Sequence, residues 1–193
     1  MRNFLVFLLL SAGVAMAQVS APGTAEQAFA SGGSVRLRLE AGEYVIRPSD
    51  AEKIVVTVSA ETDEYVKQAK IAITLNGPYA TVRVSDTPSN HKFKAVIEVP
   101  RRTDLEVHMS AGELRVEPVE GSKDVNLRAG EVIIEVPNPE QYGHREAGVW
   151  AGSVEASAFD ISKGGLFRSF EQSGPGKYRL HAHVMSGEIQ LVR

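Results

Sequence analysis

The sequence predicts an all-β protein, a β-solenoid-like stack of glycine-cornered strands with antiparallel hairpins toward its N-terminal end. Three observations carry that expectation. Apolar and polar residues alternate through most of the chain, five glycines share the same flanking pattern, and no segment after the leader sustains a helical period. An antiparallel β-sandwich is the architectural alternative, because alternation does not fix the order in which strands pair. With 193 residues and 43% hydrophobic content, one domain can bury a full core. The net charge of −3 and the lack of a basic run in sequence give no footprint for nucleic acid. No cysteine is present, so disulfides, thiolate metal sites and thiol catalysis are excluded.

Residues 1–17 read as an export signal. Arg2 supplies the positive start, Phe4 to Leu10 the apolar run, and Ala15-Met16-Ala17 the small-x-small cleavage pattern. The run is too short for the ~20 apolar residues that a membrane anchor needs. Cleavage before Gln18 would leave a charge of −4, from 20 basic and 24 acidic residues, and would place the protein in a bacterial periplasm or outside the cell with no membrane span. Residues 18–33 are small, polar and punctuated by Gly and Pro, and are expected to be a flexible lead-in. Residues 34–193 then form one repetitive β domain.

Within that domain, Gly42, Gly112, Gly130, Gly152 and Gly187 align. A small residue precedes each, and an acid follows all but Gly152. Apolar residues stand three and five places before each glycine and two and four places after it, as at Val107, Met109, Leu114 and Val116. The inward phase therefore slips by one residue at the glycine, which a strand achieves only through a bulge or corner. Between Gly42 and Gly112 lie Ile54-Val56-Val58, Ile71-Ile73-Leu75, Ala80-Val82-Val84 and Phe93-Ala95-Ile97-Val99, each with one apolar face. Asn76-Gly77-Pro78 and Thr87 to Asn90 read as turns, and Glu61 to Gln68 as a short helix or a polar loop. Stacked corners place Leu114, Val132 and Val154 in one column. The N-terminal hairpins would cover one end, and the strand from Tyr178 to Val184 would be the exposed edge at the other.

Ser110-Ala111-Gly112-Glu113-Leu114-Arg115-Val116, its echo from Ala129 to Ile134, the ending through Ser186-Gly187-Glu188-Ile189, and a strand closing in Val99-Pro100 carry a family likeness. Together they resemble the bacterial putative-adhesin family, a repetitive β domain of the DUF4097 type, over roughly residues 33–193. The resemblance implies an exported or envelope-associated β protein and brings no catalytic residues. Ser153 in place of an acid and the long segment before the last glycine depart from the pattern.

The candidate chemistry is sparse. Glu43, Glu113, Glu131 and Glu188 occupy one motif position and would form an acidic ladder of solvated carboxylates. His181 and His183 share an outward face and are the only pair with metal-ligand spacing, although no metal or cofactor is expected. His108 holds the same motif position as His183, three copies away, and is not expected to be its neighbour. The aromatic excursion of residues 157–176 is either a cover for the coil edge or a binding site built from Trp150, Phe159, Phe167, Arg168 and Phe170. The favoured expectation is a non-enzymatic surface-contact protein for a protein or glycan surface, an adhesin or envelope component. The alternative is a β-helical enzyme acting on polysaccharide.

Overall fold

The computed structural model describes residues 18–21, 23–89 and 92–193; the expected export signal lies outside them. Side chains are described from residue 23 onward, that of Phe167 excepted. The chain is nearly all β. Its strands are β1 (Gln18–Ala21), β2 (Thr24–Ala28), β3 (Ser34–Leu39), β4 (Gly42–Ser49), β5 (Lys53–Ser59), β6 (Lys70–Asn76), β7 (Tyr79–Ser85), β8 (Lys94–Pro100), β9 (Asp104–Val116), β10 (Lys123–Glu135), β11 (Tyr142–Ala156), β12 (Ile161–Ser173) and β13 (Tyr178–Val192). The polar stretch around residue 65 resolves into the short helix α1 (Asp63–Gln68), capped by the Thr62 hydroxyl. No helix among the described residues is long and apolar enough to cross a membrane.

All thirteen strands join one mixed, open sheet, and its organising feature is a parallel ladder of long bent strands in the order β9-β10-β13-β11. We call each bent strand a rung, the part before its glycine the first arm and the part after it the second. The five glycines stand in register across neighbours, Gly42 against Gly112, then Gly130, Gly187 and Gly152. Each adopts a positive φ, +128° at Gly130 and +144° at Gly187. The corner also needs the bare backbone, since a Cβ at Gly187 would lie 1.7 Å from the Gly130 carbonyl oxygen.

The inward phase follows the sequence on both sides of the corner. Met109, Leu127 and Val149 are buried, as are Leu114, Val132 and Val154. The small residue just before the glycine is not: Ala111, Ala129 and Ala151 are half-buried and Ala41 and Ser186 exposed. Ladder pairing lapses two residues before each glycine, between Leu127 and Ala129 for example, so the bulge and the change of phase begin there.

Rung order departs from chain order. Leu114 pairs with Val132, but Val132 and Val154 each pair with Ile189, so the last rung inserts between those of Gly130 and Gly152. The segment expected as an exposed edge, Tyr178 to Val184, is consequently interior. The edge at this end is β12, which runs antiparallel to β11. It is formed by the excursion, turned by a 3₁₀ segment, Ser157–Phe159, and by Asp160 in the left-handed region.

At the other end β3 and β4 together make a rung whose arms part company. One arm continues through β3-β7-β6 and the other through β4-β8-β5-β2-β1. The expected lead-in contributes to this second branch: it contains β1 and β2, and Ala25 and Phe29 are buried in the common core. Small residues are compatible with close strand packing, which is why their composition resembled a linker.

Connection lengths show what the bend accomplishes. A straight strand of 13 residues spans about 43 Å, whereas residues 117–122, the link from β9 to its parallel neighbour β10, reach about 20 Å when extended. The corner folds each rung back so that so short a link suffices. The apolar residues of both arms accordingly belong to one hydrophobic core.

Candidate functional site

The first arms of β7, β3, β9, β10, β13 and β11 lie side by side and present one outer face. Because alternate residues point outward, each motif position draws a row across the strands. Six places before the glycine the row reads Arg36, Glu106, Asp124, His181 and Glu146. Four places before, it reads Arg83, Arg38, His108, Asn126, His183 and Gly148. Two places before, Arg128, Met185 and Trp150 follow one another, bracketed by the registered pairs on either side of them.

The carboxylates Glu106 and Asp124 of the first row are compensated, Glu106 in part by His108 of the second row. Arg36 Nε donates to Glu106 at 2.9 Å, His108 Nε2 lies 3.0 Å from the other Glu106 oxygen, and His181 Nδ1 lies 2.9 Å from Asp124. Hydrogen bonds from Arg36, then from His108, hold the Glu106 carboxyl below the usual carboxylate range. A groove of about 550 Å³ runs along this row, with Asp104, Glu106 and Asp124 among its walls.

The second row is different. Arg38 stands directly opposite Arg83 on the neighbouring strand, and like charges in that arrangement destabilise a sheet. Neither they nor Arg128 form an ion pair among the described residues, whereas Arg47 is matched to Glu98, Arg115 to Glu135 and Lys94 to Glu43. A groove of about 460 Å³ passes Arg83, Arg38, His108, Arg128, His183 and Met185. Its one carboxylate among the described residues, Glu40, accepts from the Thr87 backbone N–H. The fold thus assembles, from residues 38, 83 and 128, a basic cluster that is invisible as a run in sequence.

The expected binding residues whose side chains are described divide between core and surface. Phe159 and Phe170 are core side chains, with ring centroids 6.3 Å apart, and the Arg145 guanidinium lies 4.8 Å from the Phe159 ring. Phe159 lies on the 3₁₀ segment that opens the excursion and Phe170 on β12; both join the common core, whereas Leu166 of β12 is exposed. Arg168 is exposed on β12, opposite Val149, and the Phe167 side chain lies outside the described residues. Trp150 alone of the described aromatics in the set is on the surface, 53% exposed, with Met185 beside it at 51%. His181 and His183 do share the outer face, but among the described residues no group of three His, Asp or Glu is placed to hold a metal ion. Insertion of β13 brings His183 to within one strand of His108, since both register with Asn126.

On the second arms the acidic ladder forms as expected, with Glu43, Glu113, Glu131 and Glu188 on successive rungs. Partial burial, then the charges of Glu113 and Glu188, push the Glu131 carboxyl up; Gln190 donates to it at 2.8 Å. Sequence reasoning passed over Lys123, which occupies an inward position between Leu105 and Leu180. Its ammonium donates to the carbonyls of Val119 at 2.6 Å and Gly121 at 3.2 Å, and to the Tyr142 hydroxyl. It pins the β9–β10 link to the core.

No family model matches the chain. No curated protein matches it either. Among solved structures, the fold is similar to that of a "putative cell adhesion protein" from Clostridium sporogenes. The TM-score is 0.55 at 12% identity, over 89% of this chain and 99% of that one. A "putative lipid binding protein" from Parabacteroides distasonis aligns over 91% of this chain and 98% of its own, with 11% identity and a TM-score of 0.30.

Proposed function

We propose that the chain is an exported, non-enzymatic surface-contact protein of the putative-adhesin type, wound as a β-solenoid, whose contact surface is the outer face of the first arms. The observation that carries this reading is the adjacency of Trp150 and Met185, two large apolar side chains half-exposed on neighbouring rungs beside uncompensated arginines. Large apolar groups that adjoin one another on the surface of a rigid sheet mark contact sites. The solenoid winding is supported by the short β9–β10 link and by the single core shared by both arms. The likeness to the clostridial protein supports the fold, and its name agrees with an adhesive role. Attachment of the purified full chain to bacterial envelopes, compared with Trp150→Ala and Met185→Ser, tests the proposal. Retained attachment in both variants would refute this choice of face.

The groove with Asp104, Glu106 and Asp124 is what favours the second reading, a carbohydrate-active enzyme. A glycosidase needs one carboxyl whose pKa is raised so that it can donate a proton. Glu106 is shifted the other way, and Asp124 is engaged by His181 and by the Asn126 amide at 2.7 Å. Polysaccharide turnover abolished by Glu106→Gln would reverse the order of the two readings.

A further inference from the structure

We propose that the groove through Arg83, Arg38 and Arg128 binds a linear, carboxylate-bearing polysaccharide, with Trp150 at its far end stacking on a sugar ring. The inference rests on the contact reading above and names the ligand chemistry of that face. Three facts point to it. Arg38 and Arg83 oppose each other across neighbouring strands with no carboxylate to separate them, a placement that weakens the sheet unless an anion bridges the pair. A planar guanidinium fork is suited to carboxylate oxygens, and two forks one strand apart, about 4.8 Å, hold one acidic group or two successive ones. Arg128 lies two strands farther along and one row over, so the cations trace a line across the strands instead of a point.

Beyond Arg128 the line reaches Met185 and Trp150, which supply an apolar platform of the kind a pyranose face covers. Asn126 and Ser110 lie beside the cations in the same groove and offer hydrogen bonds to hydroxyls. The ligand is therefore acidic at intervals, hydroxylated and stackable. Nucleic acid fits less well: its charge recurs every ~1.7 Å, whereas the neighbouring groove is walled by Asp104, Glu106 and Asp124 on a chain of net charge −3. An acidic peptide would use the cations but not the platform.

The test is titration of the full chain with polygalacturonate, dextran, duplex DNA and polyglutamate at two salt concentrations. Polygalacturonate is expected to bind, more weakly at the higher salt, and dextran not to bind. R38Q/R83Q should lose about tenfold in affinity, R128Q and W150A should each weaken binding, and K67Q, on the exposed side of α1, should match the parent. Circular dichroism on each variant separates lost binding from lost fold. Equal or tighter binding of DNA or polyglutamate, unchanged affinity in a folded R38Q/R83Q, or no binding of polygalacturonate overturns the assignment. Envelope attachment measured in parallel separates the two claims. Attachment without polygalacturonate binding refutes the ligand alone, and polygalacturonate binding without attachment refutes only the contact reading.

Discussion

Gly130 presents its α-carbon to the carbonyl oxygen of Gly112 on the neighbouring rung, so closely that a β-carbon at Gly130 would stand 1.9 Å from that oxygen. Backbone oxygen cannot yield as a flexible side chain can. Gly130→Ala is therefore expected to destabilise by about 3 kcal/mol or more, combining the clash with the positive φ of +128°. Gly164→Ala, on the edge strand with open space around it, should change stability by less than about 0.5 kcal/mol. Denaturant unfolding of both variants checks the contrast; similar losses in the two would show that the corner does not depend on close approach.

The rung order can be read by engineered disulfides in this cysteine-free chain. Asn126 and His183 are registered neighbours on β10 and β13, whereas Asn126 and Gly148 are separated by β13. Adjacent strands lie about 4.8 Å apart, within disulfide reach, and alternate strands about 9.6 Å, beyond it. Asn126→Cys with His183→Cys should oxidise quantitatively, and Asn126→Cys with Gly148→Cys should not. The opposite result would restore chain order to the ladder.

Glu131 gives a pH signature. Its carboxyl is pushed up by burial and by Glu113 and Glu188, so the folded state holds its proton more tightly than the unfolded chain. Stability then falls as pH rises from the ordinary carboxylate pKa through the folded one. Glu131→Gln removes that penalty and should raise the melting temperature at about pH 7 while giving no gain at about pH 3, below both pKa values. Parallel melting curves across that range decide it, and a gain independent of pH would rule out the charge explanation.

Lys123 works in the opposite direction. Burial lowers its pKa to about 8, against the weaker pull of Asp104 and Glu120. Between about 8 and the unfolded value of ~10.4 the unfolded chain binds more proton, so the contribution of this site to stability rises with pH. Tyr142, its hydroxyl partner, is pushed up by burial and then by Tyr178 and Glu120, beyond that window. The stability of the parent relative to Lys123→Met should climb across it, and a flat difference would mean that the buried amine titrates normally.

The sequence makes the rungs legible because their signal is local. Alternation around Met109 and Leu114, and a glycine where the phase slips, are properties of one strand and its burial. Pairing order is not local. Gly130, Gly152 and Gly187 carry equivalent corners, so nothing in their surroundings says that the last fits between the first two. The site divides along the same line. Trp150 is legible as an aromatic out of phase, but Phe159, on the 3₁₀ turn, and Phe170, on the edge strand β12, face the core, and the partner of that strand cannot be read from alternation. Arg38 and Arg83 sit far apart in sequence and become neighbours only through the parallel pairing of β3 with β7. Lys123 hid because a charge at an inward position looks like an interruption until the Val119 and Gly121 carbonyls are seen to surround it.

The placement of β13 has a consequence for how the molecule comes into being. β10 and β11 each form their ladder with β13 and not with each other, so the ladder of a chain emerging from its N-terminus cannot be completed turn by turn in chain order. Without residues 178–192, β11 and β12 share no ladder with β10. The strand that bridges β10 and β11 is the last of the chain, which makes it the keystone of the structure.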